Sequence, residues 1–195
     1  QAHTSLDILR KMTAGTEEAA NLLATSGVSI IAFGCTLGSL IEGPGWDQEL
    51  IRRITHTTGL KATTTSTAVI RALTALGVNK ISIATPYSVK ENNLESQFFT
   101  KLGINVVNIR GIDVHGEEKH RLPPAATYEL AREVDRPAAD AIFISCTGFK
   151  SITVIGQLEK ELNKPVFSSN TATLWNLLNM LGINYQTKKY GRLFR

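Results

Sequence analysis

Residues 28–36 read VSIIAFGCT and residues 141–147 read AIFISCT, two short apolar runs that each end in Cys-Thr. Nearly continuous β-branched and aromatic runs bounded by polar residues are the pattern of strands covered by helices on both sheet faces. The likeness extends downstream. After the first run comes Thr64-Thr65-Ser66-Thr67-Ala68 and then the apolar stretch Val69–Leu73; after the second comes Ser168-Ser169-Asn170-Thr171-Ala172 and then Thr173–Leu177. Each unit is therefore strand, Cys-Thr, helix, short strand, hydroxyl-rich turn and helix. The first is seven residues longer, through the loop that holds Ile41-Glu42-Gly43-Pro44-Gly45. A match through five successive elements marks an internal repeat.

The remaining chain fits the same alternation. Lys80–Ala84 and Asn105–Ile109 read as further strands, and Leu60–Thr63 and Pro165–Ser168 as shorter ones. Helices are predicted near 5–25, 47–58, 66–76, 91–102, 124–135, 151–162 and 171–181, with glycines 27, 59, 77, 103 and 182 where helices should stop. Strands alternating with helices imply parallel sheets with right-handed crossovers, hence an α/β fold. The repeat divides the chain into a lobe over 1–78, a lobe over 79–182 and a tail over 183–195. The second half carries an extra strand–helix–strand unit, 79–122, ahead of its helix. A symmetric molecule is expected to carry an equivalent unit ahead of Gln1.

Composition removes several function classes. The chain has 195 residues, 43% apolar and 19% charged, an ordinary balance for a folded protein. No apolar run approaches the length of a membrane span and no secretory signal is present, so no membrane partner is expected. The net charge of +4 is scattered apart from Lys188, Lys189, Arg192 and Arg195. Those four read as a solvated tail, not a nucleic-acid stripe. Two cysteines are too few for a disulfide framework, and no CxxC or HxxxH spacing completes a zinc site. Reduced thiols in a cytoplasmic protein, with no metal, are the expectation.

Both cysteines stand at the carboxyl ends of strands, where ligands sit in parallel α/β sheets. A lone cysteine there commonly only packs. Two at equivalent repeat positions, each followed by Thr, would face each other across one cleft. Helix N-termini nearby lower a thiol's pKa. Two opposed thiols suit proton transfer on both faces of a carbon, or a nucleophile on one side and a proton donor on the other. Thr36, Thr147 and the turns 64–67 and 168–171 would supply hydroxyl and N–H donors for a carboxylate and for an enolate-like charge. Asn170 is either an N-cap or a ligand group. His115 and His120 fall in a polar loop, His56 in a helix, and Trp46 and Trp175 at helix starts, where packing or exposure is the ordinary role. Gly43 and Gly45 make no phosphate loop, because no Gly-Lys-Ser/Thr follows.

The runs FGCTLGS, GPGWDQELI, TTTSTAVIRAL, ATPY, ISCT and SSNTATLW resemble the aspartate/glutamate racemase superfamily, and within it the maleate cis–trans isomerase and arylmalonate decarboxylase branch. Tyr190-Gly191-Arg192-Leu193 is also similar to that branch. The resemblance implies a cofactor-independent enzyme of two pseudo-twofold-related Rossmann-like lobes, forming dimers or tetramers, with a small carboxylate held in the cleft between lobes. It implies Cys35 as nucleophile or first base and Cys146 as general acid or second base. Tyr87, Thr36 and Thr147 would bind the carboxylate, with Leu37 and Gly148 beside them. Leu37 stands where relatives commonly have Ser, and the loop after Gly111 carries Glu117 and Glu118, which would repel a dicarboxylate if they faced it. Decarboxylases of this branch keep only the second cysteine, so two cysteines point to an isomerase, with maleate to fumarate as the best match. An amino-acid or hydantoin racemase using both thiols as bases is the alternative, and a non-catalytic carboxylate-binding module the third possibility.

Overall fold

The computed structural model describes residues 5–114, 116 and 118–195. His115 and Glu117 lie outside the described residues. The first half begins with α1 (Ser5–Ala14) and α2 (Thr16–Ala24), followed by β1 (Ile30–Phe33), α3 (Thr36–Leu40), α4 (Trp46–Thr58), β2 (Lys61–Thr64) and α5 (Thr65–Leu76). The second half runs β3 (Lys80–Thr85), α6 (Val89–Lys101), β4 (Asn105–Gly111), α7 (Glu118–Arg121), α8 (Pro124–Val134), β5 (Ala141–Ile144), α9 (Ile155–Leu162), β6 (Val166–Ser168) and α10 (Ser169–Met180). A single 3-10 turn, Arg192–Phe194, closes the described chain.

β1 and β2 form a two-stranded parallel sheet, and the second sheet has the order β4-β3-β5-β6, parallel throughout. The architecture is thus mixed α/β with parallel sheets, as the alternating pattern predicts. β5 is buried along its whole length because helices cover both of its faces. Phe143 stacks on Phe167 of the neighbouring strand with ring centroids 5.2 Å apart, and Phe99 from α6 meets Phe143 edge-on at 5.9 Å. One core cluster runs from Leu37 and Leu40 through Ala68, Val69 and Leu73 to Ile81, Phe99 and Phe143, joining the halves.

α5 and α10, the equivalent helices of the repeat, also carry polar links between the halves. Arg71 Nη1 donates to Asn176 Oδ1 at 3.1 Å, and Asn176 Nδ2 donates to Thr63 Oγ1 at 2.8 Å. The GPGWDQ loop is anchored by its own side chains. Trp46 Nε1 donates to the Gly38 carbonyl at 3.0 Å, and buried Asp47 accepts from Thr67 Oγ1 at 2.5 Å. Trp46 therefore packs at a helix start as predicted, whereas Trp175 sits midway along α10, partly buried against the core.

Three local expectations differ. The helix near 5–25 is two helices, parted at Gly15. The helix near 151–162 starts only at Ile155, because residues 152–154 form turns. The tail keeps Lys188, Lys189 and Arg195 exposed, as expected, but its end is docked: Leu193 and Phe194 are buried in the core, and Glu159 Oε1 accepts from the Arg192 and Val166 amides at 2.8 and 3.0 Å. Charge counting hid two apolar side chains inside that tail.

Candidate active site

β1 and β5 each deliver a cysteine just past their last residue. Cys35 is the N-cap of α3, and its Sγ accepts from the Gly38 amide at 3.3 Å. The unpaired N–H groups of a helix start favour negative charge, so this contact eases thiolate formation. Cys146 holds φ +91°, a region that non-glycine residues rarely adopt. Its amide donates to Ser169 Oγ at 3.1 Å, and Asn170 Nδ2 donates to the Thr147 carbonyl at 2.9 Å. The start of α10 thus clamps the Cys146 turn in its strained geometry.

Burial raises the pKa of both thiols. For Cys35 this is eased by the Gly38 amide and by Lys119, while a charge on Cys146 adds to the penalty. For Cys146 it is eased by the Gly148 amide, a hydrogen bond from Tyr87 and Lys119, while Glu95 works against ionisation. Tyr87 is buried, and its phenol is pushed well above its ordinary value by burial, then by charge on Cys146, Glu95 and Cys35. Lys119 Nζ lies 5.1 Å from the centre of the Tyr87 ring. Cys35, Cys146, Tyr87 and Lys119 therefore share one electrostatic space, and Lys119 acts on both thiols. Among the described residues no group of acidic, histidine or cysteine side chains is arranged to hold a metal.

The Tyr87 platform is fixed by close packing. Its amide donates to Thr85 Oγ1 at 3.1 Å, and Thr85 Oγ1 donates to Asn92 Oδ1 at 2.6 Å. A side chain at Gly111 would meet the Tyr87 carbonyl at 2.0 Å, so only glycine fits at that end of β4.

The expected carboxylate donors each have partners within the chain. Thr36 is buried and its Oγ1 lies 2.8 Å from Ser169 Oγ, which occupies that hydroxyl in a bond between the halves. The turns 64–67 and 168–171 are also buried. Thr64 and Ser168 are N-caps that accept from the amides of Thr67 and Thr171, and Ser66 Oγ pairs with Ser39 Oγ at 2.7 Å. These hydroxyls satisfy helix ends and one another, as buried polar groups must. Leu37 is buried in the core cluster that contains Tyr87. Thr147 donates to the Gly34 carbonyl at 3.1 Å, across to the other cysteine turn. Thr147 and Gly148 border a cavity of about 440 Å3 that His120, Phe149 and Asn170 also line, and neither cysteine lines it. The His120 ring would lie 2.7 Å from a side chain at Gly148. His56 is exposed in the last turn of α4.

Lys119 and Glu95 escaped sequence reasoning. Lys119 sits in α7, a single helical turn within a stretch that reads as a polar loop, and Glu95 in a helix, VKENNLESQFFTK, whose polar residues hide its inward face. The spacing of Glu91, Asn92 and Glu95 with Phe98 and Phe99 on one buried stripe was the signal that could have found Glu95.

The family described as arylmalonate decarboxylase matches residues 7–194. The chain is 30% identical to arylmalonate decarboxylase of Bordetella bronchiseptica over 179 residues, covering 90% of this chain and 75% of that protein. It is 24% identical to maleate isomerase of Geobacillus stearothermophilus, covering 98% of this chain and 79% of the relative. Among solved structures, a liganded arylmalonate decarboxylase mutant with a glycine changed to cysteine and a cysteine to serine superposes with TM-score 0.91 at 28% identity, covering 95% of this chain and 81% of the other. A maleate isomerase mutant of Pseudomonas putida S16 with maleate superposes with TM-score 0.94 at 21% identity, over 100% of this chain and 80% of the other, a likeness of fold. With the family match extending over almost its whole length, the chain belongs to the arylmalonate decarboxylase family of enzymes.

Proposed function

We propose that this enzyme is a two-cysteine, cofactor-independent isomerase of a small cis-dicarboxylic acid, maleate being the favoured substrate and fumarate the product. The observation that carries this is the pair of thiols set in one electrostatic space with Lys119 and Tyr87. The Cys35 thiolate, eased by the Gly38 amide, adds to one alkene carbon and forms a C–S bond. The π pair moves to the neighbouring carbon as an enolate-like charge, and Cys146 gives that carbon its proton. The former double bond is now single and rotates. The Cys146 thiolate then takes the proton back, the C–S bond breaks, and the trans alkene leaves with Cys35 restored as thiolate. Lys119 and the Tyr87 hydroxyl face the substrate carboxylates and stabilise the developing charge. A succinylcysteine intermediate, covalently bound in a cysteine-to-serine mutant of Nocardia farcinica maleate cis–trans isomerase, supports the addition step.

Decarboxylation of an arylmalonate is the second reading, favoured by the family match and the 30% identical relative. There Cys146 protonates the enediolate left by loss of carbon dioxide and Cys35 has no covalent part. Incubation with maleate, following fumarate by proton NMR, alongside phenylmalonate, following carbon dioxide release, separates the two. Fumarate formation that is lost in Cys35→Ser supports isomerisation. Carbon dioxide release that survives Cys35→Ser, with maleate untouched, overturns it.

A further inference from the structure

The mechanism gives the two thiols different tasks, yet the repeat makes their settings nearly equivalent. Below the strand ends the equivalence fails. Cys146 follows Ser145, whereas Cys35 follows Gly34, which has no side chain. Ser145 is fully buried, and its Oγ donates to Glu95 Oε1 at 2.6 Å. Glu95 comes from α6, is itself fully buried, and its second oxygen, Oε2, has no hydrogen-bond partner. A charge on Glu95 acts on Cys146 and is not among the charges that act on Cys35. A carboxyl group thus sits behind one thiol only, bonded to the serine that precedes it.

We propose that Glu95 is a positioning residue which, held behind Cys146 by its bond to Ser145, keeps Cys146 in its protonated, donating form and so breaks the symmetry between the two thiols. The proposal rests on the reading of Cys146 as proton donor. A charge on Glu95 would lie behind both the Cys146 thiol and the Tyr87 phenol and disfavours loss of either proton. Burial keeps the Glu95 carboxyl neutral up to about pH 8, eased only in part by Ser145 and reinforced by Glu91 one turn earlier on α6. Below that pH the site holds no extra negative charge to repel a carboxylate substrate. Above it Glu95 ionises, and its charge holds Cys146 protonated. The other ionisable groups around α6 leave this role to Glu95. α3 offers Cys35 at its N-cap, Lys119 acts from beyond Tyr87, and Arg110 of β4 pairs at 3.0 Å with exposed Glu133.

The test is site-resolved alkylation of Cys146 by iodoacetamide against pH, read by mass spectrometry on the full chain in a Cys35→Ser background. It requires no substrate, so it stands apart from whether maleate is turned over. Glu95→Gln, isosteric with the neutral acid, is expected to lower the alkylation midpoint by about one pH unit, and Glu95→Asp to return it toward the starting value. An unchanged midpoint in a folded Glu95→Gln chain overturns the proposal. Should that variant fail to fold, carbon-13 NMR of glutamate carboxyl groups in the unsubstituted chain decides. One carboxyl titrating near pH 8 supports the role. Titration of every glutamate below about pH 6 overturns it.

Discussion

Thr36 and Ser169 join the two halves of the repeat through a 2.8 Å contact between their hydroxyl oxygens, and Ser169 Oγ also accepts from the Cys146 amide at 3.1 Å. One buried serine therefore ties the turn after Cys35 to the turn that carries Cys146. Ser169→Ala leaves a buried hydroxyl and a backbone amide short of a partner. The expected loss is about 1–3 kcal/mol of stability, measured by urea unfolding, together with a fall in turnover larger than any rise in KM.

Glu95 predicts a pH dependence of stability with a defined sign. Its carboxyl ionises at about 4.5 when unfolded and at about 8 in the fold. Between those values the folded chain keeps a proton that the unfolded chain has lost. Rising pH therefore destabilises the fold, by about 1.4 kcal/mol per unit at most, and the effect levels off above about pH 8. Glu95→Gln is expected to flatten this slope in thermal or urea unfolding across the same window.

Lys119 is a cation that acts on both thiols. Removing it in Lys119→Met is expected to move the alkylation midpoints of Cys35 and Cys146 upward together. It should also raise KM for a dicarboxylate more than it lowers kcat, since a carboxylate loses its positive partner. Movement of one midpoint alone would contradict the shared space described above.

Phe194 is 2% exposed and meets Tyr190 and Tyr185 edge-on, with centroids 5.5 and 6.4 Å away. Phe194→Ala is expected to cost about 3–5 kcal/mol, read from the unfolding midpoint. A solvated tail would show no change.

The repeat was legible because its strands are buried on both faces and so declare themselves as unbroken apolar runs. The cysteines were legible because both halves place one at the same strand end. The hydroxyl-rich turns have a structural duty that the pattern did not declare: Ser and Thr at a helix start satisfy the helix's own amides, as Thr64 and Ser168 do. Lys119 and Glu95 act through tertiary proximity. Lys119 acts on the thiols from a helix too short to show periodicity, and Glu95 reaches Ser145, the neighbour of Cys146, across 50 residues of sequence. Phe194 was masked by its basic neighbours, because net charge describes a segment while burial belongs to single side chains.

The central claim is that both thiols carry one isomerisation, and proton NMR of the chain with maleate tests it most directly. Fumarate should form with the unsubstituted chain, and Cys35→Ser and Cys146→Ser should each lower its rate by about 100-fold or more. Full fumarate formation in folded Cys146→Ser would contradict the account.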